Sequence, residues 1–144
     1  MPTPPLPELR FVMRIVAEVD PHLEIERRGD DSLLIIPITG GTVEGQIAGR
    51  VHPGGADWCR LRADGACEVE ARYWIRTDTG AIVDVVNVGR IAPGEEPGEM
   101  GVFMTTPQFR TTEPELQWLT QRVFLGRAEA FGTHTTIDVF EAVG

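Results

Sequence analysis

Apolar and polar residues alternate with a period of two through much of this chain, which a helix would not sustain. Leu9, Phe11, Met13, Ile15, Ala17 and Val19 alternate with a set that includes Arg10, Arg14 and Glu18. Clusters of Gly, Pro and Asp recur roughly every ten residues, the spacing of an all-β sandwich or barrel. With 144 residues, 42% of them hydrophobic, the chain suffices for one domain with its own core. The expectation is all-β: a single antiparallel β-barrel over residues 1–144 with a Pro-rich tail at 1–7. One short helix is expected near the C-terminus, where Thr112 to Gln121 opens on Thr-Glu-Pro-Glu, a plausible cap and first turn.

Between these ends the spacing predicts strands over His22–Glu26 and Leu33–Ile38, a break at Gly40-Gly41, and a strand over Thr42–Val51. On that last strand Gly45 and Gly49 share the inward face of Val43, Ile47 and Val51, as a curved barrel wall requires. His52-Pro-Gly-Gly-Ala-Asp57 reads as a loop. Trp58–Leu61, Ala66–Arg76 and Ala81–Gly89 read as a three-stranded meander. Pairing Leu61 with Cys67 and Tyr73 with Val85 gives one apolar face, from Cys59 through Tyr73 to Asn87, and one charged face. Slipping either pair by one residue destroys the match. Ile91–Gly101 is a polar loop, Val102–Phe109 a strand, and Arg122–Gly126 and Thr135–Ala142 the closing strands.

Composition excludes several function classes. A net charge of −9 and a pI near 4.7 disfavour nucleic acid and anionic membranes as partners. No apolar run approaches the about 20 residues that span a bilayer, and the first residues do not resemble a signal peptide, so a cytoplasmic location is expected. The chain has no Lys, which removes Schiff-base and P-loop chemistry, and its only Ser, Ser32, lies in a turn. His22, His52 and His134 are far apart with no metal-ligand spacing, so no metal and no cofactor is expected. Cys59 and Cys67 lie one diagonal apart on the apolar face, a poor disulfide geometry, and are expected as free buried thiols.

Tyr73 and Asn87 interrupt the apolar face as diagonal neighbours. An inward phenol and amide need partners, because a buried polar group left unpaired costs about 1–3 kcal/mol. Either they satisfy each other structurally, or both address an oxygen on a ligand in a pocket. Asp57 is a carboxylate at a loop–strand junction, with an Asx turn cap as its structural alternative. Trp58 offers a flat wall for a ligand or a plug for the barrel end. Arg72 would clamp a carboxylate if the charged face were the inner one, and otherwise belongs to ordinary surface ion pairs.

Several motifs run almost end to end: Pro37-Ile-Thr-Gly-Gly41, Gly45, Gly49, Pro53-Gly-Gly-Ala-Asp-Trp58, Ala71-Arg-Tyr73, Arg76-Thr-Asp-x-Gly80 and Asn87-x-Gly89. Thr105-Thr-Pro-x-Phe109, Trp118-Leu119 and Phe140-Glu141 follow. With these the chain resembles domain-of-unknown-function family 3237, small bacterial and fungal proteins. The resemblance implies an antiparallel β-barrel and draws attention to Asp57, Trp58, Arg72, Tyr73 and Asn87. Departures are a shorter segment between Gly89 and Phe103, Thr120 in place of a frequent Asn, and Phe140 in place of a frequent Tyr.

The leading expectation is a cofactor-independent enzyme performing proton-transfer chemistry on a small, oxygenated, largely apolar molecule: an isomerase, cyclase or hydratase/lyase. Asp57 would be the base, Tyr73 the acid or oxyanion donor, and Asn87 the group that orients the substrate carbonyl. Trp58, Arg72, Phe103 and Trp118 are the expected substrate contacts. A non-catalytic, lipocalin-like carrier is the rival reading, and a homo-oligomeric scaffold with its charged face buried between subunits is the third.

Overall fold

A computed structural model describes residues 1–92 and 101–144. Residues 93–100, most of the expected polar loop and of the shortened segment before Phe103, lie outside the described residues. The strands are β1 (Glu8–Val19), β2 (Leu23–Arg28), β3 (Asp31–Gly45), β4 (Gly49–Val51), β5 (Gly55–Leu61) and β6 (Cys67–Thr77). They continue as β7 (Ile82–Ile91), β8 (Val102–Arg110), β9 (Val123–Ala130) and β10 (His134–Val143). A 3-10 turn at Pro114–Leu116 and the one-turn helix α1 (Trp118–Gln121) stand between β8 and β9. No helix among the described residues is long and apolar enough to cross a membrane.

The sheet closes as an antiparallel barrel of eight staves. Going round, β1, β10, β9, β8, β7 and β6 are followed by β4 and β5, which together fill one position, and then by β3, which pairs back onto β1. Closure removes the open edges that a flat sheet of this size would expose. β2 pairs with the first part of β3 and extends the wall beyond the barrel rim as a lip with every residue exposed. The meander has the expected register, with Leu61 opposite Cys67 and Tyr73 opposite Val85.

Several expected features differ, and the strand expected over Thr42–Val51 is broken at residues 46–48 between β3 and β4. Gly40-Gly41 does not end a strand: β3 runs through it, bending where Gly41 has φ 144° and passes so close to Val16 that a side chain would strike its carbonyl. The first half of β3 therefore serves β2 and β5, and the second half serves β1 and β4. β5 begins at Gly55, not Trp58, so Asp57 lies inside a strand. In β1 the register shifts between Phe11 and Met13, so Val12 and Met13 are both buried while Leu9 and Phe11 face outward. This bulge interrupts the even alternation that the sequence suggests.

Side chains fill one end of the barrel. Met13, Ile15, Val43, Ile75, Val83, Val85 and Val139 are almost fully buried there, each contributing about 1.5–3 kcal/mol by leaving water. Leu119 of α1 is buried with them, and Phe109 packs edge-on against Phe124 at 5.2 Å. Space is left toward the other end, where smaller side chains such as Ala17, Ala71 and Ala128 face inward.

Candidate functional site

The site begins with the Pro53-Gly-Gly-Ala-Asp57 segment, which brings β5 hard against β6. Gly54 turns the chain at φ 113°, under the Trp74 ring that also stacks on His52 at 4.7 Å. Gly55 then passes so close to β6 that a methyl group on it would lie 2.5 Å from Tyr73 Cβ. This approach sets the register in which Asp57 pairs with Ala71, and Ala71 in turn with Asn87 on β7. Asp57 and Asn87 thus face inward on one row, about 10 Å apart across two strand spacings. The small Ala71 leaves room between them, and Tyr73, two residues along β6, reaches in from the next inward row.

A second row supplies another polar group. Gly89, Thr105 and Gly126 are successive partners across β7, β8 and β9. A side chain on Gly126 would overlap Thr105 Oγ1, and one on Gly89 would stand 2.8 Å from Thr105 Cγ2. The two glycines therefore form a slot that holds the Thr105 side chain from both sides.

These rows enclose a chamber of about 40 Å³, lined by Asp57, Tyr73, Asn87 and Thr105 among apolar residues that include Ile38, Val69 and Ile137. Above it, at the open end, lies a vestibule of about 440 Å³ walled by Leu34, Ile36, Cys59 and Leu61, with Asp20, His22 and His134 around it. Val19, Asp57, Phe103 and Thr135 border both spaces, so the chamber meets the vestibule at that neck. No Arg lines either space among the described residues.

Four buried polar atoms have no hydrogen-bond partner among the described residues: Asp57 Oδ1, Tyr73 Oη, Asn87 Oδ1 and Thr105 Oγ1. All four belong to the chamber wall. Each such atom costs about 1–3 kcal/mol, and a native domain keeps few of them. Burial pushes the Asp57 carboxyl up from 3.8 to about 6, with the Glu70 backbone opposing part of the rise. Burial, and then the Asp57 charge, raises the Tyr73 phenol above its ordinary value, so it stays a neutral donor. Cys59 and Cys67 are free and buried; contact between them, with burial, raises the Cys59 thiol, and the same contact lowers the Cys67 thiol. No group of three or more His, Cys, Asp or Glu side chains converges among the described residues.

The family model described as "Protein of unknown function (DUF3237)" matches residues 7–142. The chain belongs to this family. A UPF0311 protein of Rhodopseudomonas palustris is 39% identical over 153 residues, covering 98% of this chain and 99% of that protein. A crystal structure of a conserved protein of unknown function from the same species superposes with a TM-score of 0.89 at 36% identity, over 97% of this chain and 100% of that one. A beta-barrel like protein of Acinetobacter baumannii gives 0.86 at 29% identity, over 99% of both chains. A protein of Penicillium herquei described as an enzyme shares the fold at a TM-score of 0.80 and 20% identity, over 99% of this chain and 98% of that one.

In this DUF3237 barrel the expected site residues divide into two groups. Asp57, Tyr73, Asn87 and Phe103 come together around the chamber and its neck. Trp58 and Arg72, expected as substrate contacts, do not join them. Each is the sequence neighbour of an inward residue, so the strand pleat turns it to the outer wall. Trp58 is 44% exposed, and Arg72 faces Asp84 at 3.6 Å in solvent. Trp118, also expected as a contact, sits at the filled end, 6.2 Å from Phe124 and under Arg122, away from the chamber. Asn87 contributes its carbonyl oxygen, a hydrogen-bond acceptor, to the unpaired atoms of the chamber.

Thr105 is the chamber residue that sequence reasoning missed. Alternation along Phe103, Thr105, Pro107 and Phe109 places it inward, and its motif marks it, but its role depends on glycines in two other strands.

Proposed function

We propose that this chain is a cofactor-independent enzyme that moves protons on a small, neutral, largely apolar molecule bearing oxygen. The observation that carries this reading is the convergence of four buried, unpaired polar atoms on one chamber, beside a carboxyl poised near neutrality. A carboxyl with a pKa of about 6 is an effective general base at physiological pH, because it is mostly ionised and still basic enough to accept a proton. The neutral Tyr73 hydroxyl is the matching donor for charge that develops on a substrate oxygen. Apolar vestibule walls favour an apolar body, and no Arg among the described residues lies beside Asp57 to attract an anionic one. The Penicillium herquei neighbour, described as an enzyme, adds support for chemistry in a barrel of this kind.

In this reading Asp57 removes a proton next to a carbonyl while Tyr73 donates a hydrogen bond to the developing enolate oxygen. Return of the proton elsewhere gives isomerisation. Attack by an internal nucleophile gives cyclisation, and gain or loss of water gives a hydratase or lyase. The test uses phenylacetone, a neutral aryl ketone, in deuterated water. The protein should speed deuterium uptake at the carbon next to the carbonyl, and Tyr73→Phe should lower the rate about 100-fold with the fold intact. Full exchange activity in that variant would remove Tyr73 from the chemistry. Binding of the ketone without any exchange would identify a carrier instead.

A further inference from the structure

The hydrogen-bonding inventory of the chamber narrows the reaction further. Two of its unpaired atoms, Asp57 Oδ1 and Asn87 Oδ1, are acceptors when the carboxyl is ionised. The other two, on Tyr73 and Thr105, are hydroxyls that can donate. A ketone oxygen only accepts, so it would leave both acceptors unpaired. An alcohol donates once and leaves one unpaired. Water donates twice and accepts twice, which matches two carbonyl-type oxygens and two hydroxyls atom for atom.

Size agrees with this count. A polar cavity needs about 10–15 Å³ to hold a water with two to four partners, and the chamber offers about 40 Å³. The substrate body requires the larger vestibule, which meets the chamber at Asp57 and Phe103. Gly89 and Gly126 leave the space that the Thr105 side chain occupies, which places its hydroxyl at the chamber wall.

We propose that the inner chamber is a site for a reacting water, which Asp57 activates against a polarised double bond presented from the vestibule. The inference rests on the proton-transfer reading above and selects addition or elimination of water from the classes it allows. With a ketone the step balances simply. When the ketone arrives, the Tyr73 hydroxyl turns from the water to the carbonyl oxygen and frees a water lone pair. That lone pair bonds to the carbonyl carbon as the C=O π bond breaks, Asp57 takes one water proton, and Tyr73 gives its own to the former carbonyl oxygen. Proton passage from Asp57 back to Tyr73 resets the site, and the net result is a hydrate. With an electron-poor C=C bond, the same water bonds to the carbon remote from the activating carbonyl as the C=C π electrons move toward the carbonyl oxygen, and Asp57 takes one water proton. The α-carbon then receives the proton.

The experiment follows two exchanges on phenylacetone with the full chain: deuterium uptake from deuterated water, and 18O uptake into the carbonyl from labelled water. Deuterium uptake reads the base, and 18O uptake reads delivery of water. The expected result is protein-dependent 18O uptake that falls about three- to ten-fold further than deuterium uptake in Thr105→Val, the range for one lost hydrogen bond. Thr105→Val nearly conserves shape and removes an unpaired hydroxyl, so its melting temperature should hold or rise, which separates function from folding. Deuterium uptake without 18O uptake overturns the water site and leaves the proton-transfer reading standing. Equal loss of both exchanges in Thr105→Val also overturns it, because Thr105 would then hold the ketone itself. Neither exchange at saturating ketone ends both readings.

Discussion

The inner and outer faces of β5, β6 and β7 are built from alternate residues of the same strands, yet they treat polar groups in opposite ways. Outside, Arg62 reaches Asp64 at 2.9 Å and Glu68 at 3.2 Å, and Arg72 faces Asp84, all with solvent around them. Inside, Asp57, Tyr73 and Asn87 each bury an atom without a partner. Water makes an outer mismatch cheap, so outer pairs contribute little to stability. An inner mismatch has no such relief and persists only where something other than stability maintains it. Polarity alone therefore does not distinguish the faces; the lack of a partner inside does.

The largest effect expected from this contrast is kinetic. Asp57→Asn keeps the shape of the side chain and removes its basicity, so deuterium uptake by phenylacetone should fall about 100- to 10,000-fold. In the unaltered chain the rate should rise with pH through about 6 as Asp57 ionises. A pH–rate profile of both proteins checks this, and a flat wild-type profile between pH 5 and 7 would take the chemistry away from Asp57.

Stability should show the same residue with the opposite sign from a surface carboxylate. The folded pKa of Asp57 is raised from 3.8 to about 6, so between these values the folded chain holds more protons than the unfolded one. Stability therefore falls as pH rises across that window and levels off above it, by a total of about 3 kcal/mol. Urea titrations at pH 4, 5, 6 and 7 should show this decline, and it should disappear in Asp57→Asn, making that variant the more stable protein at pH 7. Arg14 and Asp138 provide the outer contrast: their hydrogen-bonded pair, at 2.7 Å, holds the Asp138 carboxyl below its ordinary value. That contribution is present at neutral pH and lost on acidification.

Next in size is the glycine slot. Gly126→Ala places a methyl group against Thr105 Oγ1 and 3.2 Å from Ile137 Cγ2, and should cost about 1–3 kcal/mol. Adding Thr105→Ala should restore part of the loss, and chemical denaturation of the double variant tests that coupling. The slot also marks the boundary of what the sequence made legible. Period-two alternation was enough for the barrel class, and face matching placed Tyr73 opposite Val85, because both depend on local pattern and register. Gly89, Thr105 and Gly126 meet only because three strands align, and no local pattern carries that alignment. The Gly40-Gly41 bend was missed for a related reason, since a glycine pair permits a sharp bend or a chain break and the neighbouring strands decide which. The outward placement of Trp58 and Arg72 was legible from pleat parity alone.

Arg72→Ala tests that parity and carries the smallest expected effect. The guanidinium is exposed, its contact with Asp84 is long at 3.6 Å, and the carboxylate left behind stays in contact with water. Stability should change by no more than about 0.5 kcal/mol, and neither isotope exchange on phenylacetone should move. The informative outcome is a large one. A ten-fold loss of exchange with unchanged stability would mean that the ligand reaches the outer wall. The contrast between a solvated face and a working interior would then be drawn on the wrong side of β6.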